Sequence, residues 1–202
     1  MSVRVLLADD ENLIRAALAA LLALEDDIEV VAQAASGAEA LAMARAHAPD
    51  VAVLDLQMPD RDGISVAAEL RTLLPGCAAV IVTGHGRAGH LKRALEAGVR
   101  GFLPKTVSAT VLSDVVRTVV GGGRYVDPEL AAEAISAGDS PLTPREADVL
   151  ELAAGGAPVD EIAARAHLSP GTVRNHLSAA ASKLGARNRH AAVEVARRHG
   201  WI

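Results

Sequence analysis

A chain of 202 residues that is 50% hydrophobic and 22% charged is globular rather than disordered, and its length suits one or two domains. A formal net charge of −5 argues against nucleic acid as a partner for the molecule as a whole, and the lone Cys77 rules out an internal disulfide and fits a reduced, cytoplasmic protein. The most apolar run, LIRAALAALLAL, is about 12 residues long and carries Arg15, too short for a membrane span, and a start directly on an apolar strand points away from export.

From the N-terminus, short apolar runs alternate with amphipathic ones. VRVLLA precedes LIRAALAALLAL, IEVVAQAA precedes GAEALAMARA, and VAVLD precedes GISVAAELRTLL. AAVIVTG then precedes AGHLKRALEAG, and VRGFLPK precedes SATVLSDVVRTVV. Continuous apolar runs of this length are strands buried on both faces. Five βα units predict an α/β fold over residues 1–120, a doubly wound five-stranded parallel sheet with helices on both faces. Pro104 lacks an N–H, so the last strand should lie at an edge.

Four of the runs end in polar groups: Asp9 and Asp10, Asp55, Thr83, and Lys105. In an open α/β sheet, groups at the carboxyl ends of neighbouring strands converge on one crevice. Three carboxylates, a hydroxyl and an ammonium form a small site for a divalent cation and a phosphoryl group. Mg²⁺ takes a few carboxylate oxygens and keeps waters, and a carboxylate beside it can attack phosphorus to give an aspartyl-phosphate. The simpler alternative is that each Asp caps the following helix.

In the last helix of this region, Val111, Val115 and Val119 form one apolar row and Leu112, Val116 and Val120 an adjacent one. That stripe is wide enough to cover the sheet and leave apolar surface for a partner helix. Residues 121–140, GGGRYVDPELAAEAISAGDS, read as a linker containing a short helix.

Beyond the linker, Thr143 stands three residues before Glu146 with Pro144 between them, a capping box, and Gly155 is placed to stop that helix. Ser169 and Pro170 repeat the start signal for a longer helix. On it Val173, Leu177, Ala180 and Leu184 fall on one face, with Arg174, Asn175 and Ser178 opposite. From Arg165 onward seven basic residues face the single acid Glu194, so this end is an electrostatic footprint for phosphates despite the acidic total. Arg and Asn can read guanine and adenine edges, with Thr172 and Lys183 placed to hold phosphates. His176, at the edge of the apolar face, reads as structural, and the seven histidines show no metal-ligand spacing.

Residues 2 to about 120, with Asp9, Asp10, Asp55, Thr83 and Lys105 at their strand ends, resemble the receiver domain of bacterial two-component response regulators. The resemblance implies the flavodoxin-like strand order 2-1-3-4-5, with Asp55 as phospho-acceptor. It further implies Mg²⁺ at Asp9, Asp10, Asp55 and the backbone carbonyl of Gln57, Thr83 as the switch hydroxyl, Lys105 as its paired lysine and Phe102 as the switch aromatic. His85 and Thr106 stand where neighbours of the site govern phosphate lifetime. Residues 141–202, through LTPRE, EIA, LSPGTVRNH and KLGARNR, resemble the all-α, four-helix helix-turn-helix domain of the LuxR and NarL type. That implies DNA contacts by Thr172, Arg174, Asn175, Ser178 and Lys183. Pro158 and Val159 depart from the usual polar N-cap, and Ser178 replaces a long basic side chain found in some relatives.

Together the halves resemble NarL/FixJ-type regulators, most nearly those paired with membrane thermosensor kinases that control a lipid desaturase gene. The family implies a sensor histidine kinase as phosphodonor and a pseudo-palindromic double-stranded operator. It also implies a homodimer on phosphorylation through the first and last receiver helices, for which Leu13, Leu24, Leu112 and Val116 are the candidates. Two other readings remain. A haloacid-dehalogenase-like phosphohydrolase would need a second acid two residues after its nucleophile, where this chain has Gln57. A constitutive DNA binder would use the receiver only to dimerise.

Overall fold

The computed structural model describes residues 2–84, 88–137 and 140–202. The chain divides into two compact units, one built on a sheet and closing at Pro128, the other helical and formed by the chain from Glu129 onward together with residues 88–91 from the start of the fourth helix.

The first unit runs β1 (Val3–Ala8), α1 (Asn12–Leu22), β2 (Ile28–Ala34), α2 (Gly37–His47), β3 (Val51–Asp55) and α3 (Gly63–Leu73). It continues with β4 (Ala78–Thr83), α4 (Ala88–Ala97), β5 (Gly101–Pro104), α5 (Ala109–Val120) and β6 (Tyr125–Val126). The strands are parallel in the order β2-β1-β3-β4-β5-β6. Polar side chains start the helices where the strands end: Ser36 accepts from Glu39 N–H, Asp62 from Ser65 N–H and Ser108 from Val111 N–H. Each such cap is worth about 1 kcal/mol.

The sixth strand departs from the expectation that β5 forms the edge. The linker turns back after Gly121 and Gly122, and Tyr125 N–H donates to Arg100 O at 2.8 Å while Asp127 N–H donates to Phe102 O at 2.9 Å. β6 pairs only with Gly101 and Phe102. It therefore stops short of Pro104, whose ring nitrogen cannot donate.

One face of the sheet packs Val5, Leu7, Val53, Val80 and Leu103 against Leu22 of α1 and the apolar stripe of α5. Here the dimer expectation needs correcting. Leu112 and Val116 are 1% and 0% exposed and belong to this core, because the sheet takes up most of the α5 stripe and leaves Val120, at its end, 44% exposed. Otherwise α5 turns polar residues outward: Thr110, Asp114 and Thr118. The apolar surplus lies on the first helical segment instead, where Leu13, Ala16, Ala17, Ala20, Leu21 and Leu24 are exposed at i, i+3, i+4, i+7, i+8 and i+11 spacing.

The second unit comprises α6 (Pro128–Ala137), α7 (Pro144–Leu152), a 3₁₀ turn (Ala153–Gly155), α8 (Val159–Ala166), α9 (Pro170–Lys183) and α10 (Arg189–Arg198). The Thr143/Glu146 capping box and the Ser169 cap form as the sequence predicts. The left-handed residue that ends the first of these turns is Gly156, at φ 79°, one position beyond Gly155. Pro158 gives α8 no side-chain cap, and His167 ends that helix in the left-handed region at φ 53°. Val149, Leu150, Ile162, Val173, Leu177, Ala180, Val193 and Ala196 close the core. Among the described residues no helix is long and apolar enough to cross a membrane.

Candidate functional site

β1 and β3 are neighbours in the sheet, so the acids that follow β1 meet the acid that ends β3. Asp9, Asp10 and Asp55 each offer an oxygen, and these atoms lie within 4.8 Å of one another. Asp9 and Asp55 are 2% and 6% exposed. Lys105, just past β5, brings its Nζ to 2.8 Å from Asp9 Oδ2, 3.0 Å from Glu11 Oε1 and 3.4 Å from Asp55 Oδ1. Thr83, the last residue of β4, is also buried. Its carbonyl accepts from Lys105 N–H at 2.8 Å, so the backbone fixes the lysine beside the strand that carries the hydroxyl.

Asp9 Oδ1 accepts from Glu11 N–H at 2.9 Å, and Arg15 donates to the Asp9 carbonyl. Asp9 Oδ2 is buried without an aligned donor, so its contact with Lys105 is an ion pair and it retains capacity for a cation. Burial pushes the Asp55 carboxyl up to about 7, with Lys105 opposing the rise and the Asp9 charge adding to it. Burial would lower the Lys105 ammonium, but Asp9, Asp55 and Glu11 around it raise it above its ordinary value. Three carboxylates, two of them buried, with oxygens within 4.8 Å of one another and one ammonium beside them fit an oxygen-seeking divalent cation.

The loop after β3 is held tightly. Gly63 N–H donates to Leu56 O at 3.0 Å, and a Cβ on Gly63 would lie 2.2 Å from the carbonyl oxygen of Asp55. Asp60, at φ 66°, accepts from the N–H groups of Gly37 and Ala38 at 3.1 and 3.2 Å and so ties the loop to the start of α2. Gln57 lies in this loop, half-buried, and offers no titratable group. Phe102 is 1% exposed, packed in β5 between β4 and β6. Thr106 is exposed beside the site; His85 lies outside the described residues.

Two residues at this site escaped the sequence reading. Glu11 was hidden behind the acid pair, although Glu is a poor N-cap and it stands at the N-cap of α1 without capping it. Gly63 follows Asp62 in a stretch that reads as an ordinary Asp-Gly turn; nothing local discloses that a backbone eight residues earlier fills the space beside its Cα.

In the second unit, Val173, Leu177 and Ala180 are buried while Arg174, Asn175 and Ser178 are exposed on the other side of α9, as the helical periodicity requires. The residues read as phosphate contacts hold partners within the chain. Thr172 Oγ1 is 2.8 Å from Ser169 Oγ, and Lys183 Nζ is 2.8 Å from Glu146 Oε2. Glu146 is held below its ordinary value, its bonds to Lys183 and Thr143 outweighing the effect of burial. His176 is half-buried.

Residues 5–117 match the response regulator receiver domain family, and residues 140–196 match the bacterial regulatory proteins of the luxR family. The chain is 38% identical over 200 residues to the transcriptional regulatory protein DesR of Bacillus subtilis, covering 99% of each. It is 40% identical over 201 residues to the transcriptional regulatory protein UhpA of Escherichia coli, covering 98% of this chain and all of that one. Identities this close for differently named regulators do not single out one branch. Among solved structures, the response regulator ChrA of a heme-sensing two-component system aligns with a TM-score of 0.59 at 35% identity, over 100% of this chain and 99% of that one. The RcsB–DNA complex aligns with a TM-score of 0.62 over 98% of both chains; at 24% identity it shares the fold.

Proposed function

Since the chain belongs to the NarL/FixJ-type two-component response regulators and is a transcriptional regulator with a receiver and a LuxR-type DNA-binding domain, we propose that phosphoryl transfer to Asp55 switches its binding to DNA. The observation that carries this reading is Asp55 itself: a buried carboxylate at a strand end, grouped with Asp9 and Asp10 and 3.4 Å from an ammonium. We take residues 1–120 as the receiver, 121–140 as the linker and 141–202 as the DNA-binding domain, in a cytoplasmic protein.

In the proposed reaction an Asp55 carboxylate oxygen attacks the phosphorus of a phosphohistidine on a sensor kinase. The P–N bond breaks, the imidazole leaves and takes up a proton, and an acyl phosphate forms on Asp55. Mg²⁺ held by Asp9, Asp10, Asp55 and the Gln57 carbonyl would supply positive charge to the phosphoryl oxygens. Lys105 turns toward those oxygens and Thr83 donates its hydroxyl to them. With its hydroxyl so engaged, Thr83 vacates space into which Phe102 moves, and the receiver shifts between two populations. The chemistry ends there: Gln57 cannot serve as the general acid that a phosphohydrolase of the dehalogenase type would require.

Dimerisation is assigned to the exposed apolar stripe that contains Leu13 and Leu24. A dimer would present two α9 helices to successive turns of one operator face, about 34–36 Å apart. Arg174, Asn175 and Ser178 would read base edges. Lys183 would exchange Glu146 for a phosphate, and Thr172 would hold another.

The acceptor is tested by trapping the acyl phosphate after incubation with Mg²⁺ and acetyl phosphate and mapping the modified peptide. Modification at Asp55 that disappears in Asp55→Ala supports the reading; modification elsewhere, or none in the wild-type protein, refutes it.

A further inference from the structure

The N-cap of α1 is an unusual place for a glutamate, and the Glu11 side chain makes no cap there. It reaches across to Lys105 instead and accepts from Nζ at 3.0 Å. An ammonium has three donors, and here three carboxylates surround it, with Asp55 the most distant at 3.4 Å and Asp9 and Glu11 at 2.8 and 3.0 Å. Asp9 is buried, whereas the Glu11 side chain is 61% exposed. Of the three acids, Glu11 is therefore the one that can withdraw to water at little cost.

Resting on the assignment of Asp55 as phospho-acceptor, we propose that Glu11 is a positioning residue that competes with the Asp55 phosphoryl group for Lys105 and so restrains phosphorylation. As phosphorus approaches Asp55, its oxygens must recruit the ammonium. Glu11 releases it, and the strength of that grip enters the barrier. The grip is that of a solvent-screened ion pair rather than a buried one, which limits its worth.

Glu11→Gln keeps the shape and weakens the grip; Glu11→Asp keeps the charge but is one methylene short of Nζ. Each full-length variant is incubated with Mg²⁺ and acetyl phosphate, and the second-order rate constant for acyl-phosphate formation is measured. The expected gain for both variants is about two- to fivefold over wild type, the range of a partly exposed ion pair. In a Lys105→Ala background the Glu11→Gln gain should vanish, since a residue acting through the lysine has nothing left to act on. The proposal is overturned if Glu11→Gln is no faster than wild type, if Glu11→Asp matches wild type, or if the gain persists without Lys105. A wild-type protein that takes up no phosphoryl group at all would refute the acceptor assignment instead.

Discussion

Replacing Asp55 by Asn should stabilise the metal-free protein, by an amount that depends on pH. In the folded receiver burial pushes this carboxyl up to about 7 from 3.8, so the native state binds more protons than the unfolded chain between those values. By linkage, the stability contributed by this group is highest below its unfolded value, falls as pH rises between the two, and levels off above the folded value. At about 1.4 kcal/mol per tenfold change, the full loss is about 4 kcal/mol. Asn removes that cost, and since the raised value already includes the opposing attraction of Lys105, which keeps Asp9 and Glu11, the lost bond is not subtracted again. A net gain of up to about 4 kcal/mol above pH 8 follows. Urea unfolding of the receiver transition in EDTA, from pH 4.5 to 8.5, measures it directly. The gain should be near zero at the acid end and grow with pH. An Asp55→Asn protein no more stable than wild type at pH 8.5, or a gain unchanged across the range, would refute the account of the site as an electrostatically strained cluster.

Leu13→Asp with Leu24→Asp should leave monomer stability within about 0.5 kcal/mol, as for other exposed substitutions, yet abolish the size increase that the proposed dimer should show in gel filtration on addition of acetyl phosphate. Leu112→Ala, by contrast, should cost about 2–5 kcal/mol as a core cavity, read by urea unfolding. Arg174→Ala should reduce discrimination between operator and mutated operator by about 1–3 kcal/mol at one base step, measured by fluorescence anisotropy at fixed salt. Gly63→Ala should cost about 1–3 kcal/mol as an overpacked position, because its Cβ would meet the Asp55 carbonyl. It should also slow acyl-phosphate formation.

The strand ends were legible because parallel strands buried on both faces leave continuous apolar runs, and the polar residue closing each run is conspicuous. The helix starts at Thr143 and Ser169 were legible because capping is local chemistry. The role of Leu112 and Val116 was not, since periodicity tells which residues share a face but not how much of that face a sheet consumes. On α1 the family resemblance pointed to Leu13 and Leu24, but the helix is hydrophobic nearly all round, so only burial separates Leu22 in the core from Leu21 and Leu24 outside it. β6 lay hidden in a two-residue segment of a glycine-rich linker. Its pairing is set by the free edge of β5 rather than by its own composition. Glu11 meets Lys105 across 94 positions of sequence, a contact that only the tertiary fold creates.

The central claim, that Asp55 chemistry governs DNA binding, is tested by the affinity of the full chain for DNA from its own promoter region. Wild type and Asp55→Ala are each measured with and without acetyl phosphate and Mg²⁺ at constant ionic strength. The account predicts that phosphodonor tightens wild-type binding and leaves Asp55→Ala unchanged at the weaker level. Equal affinity in all four conditions would mean that the receiver only dimerises, and the switch proposed for Asp55 would be wrong.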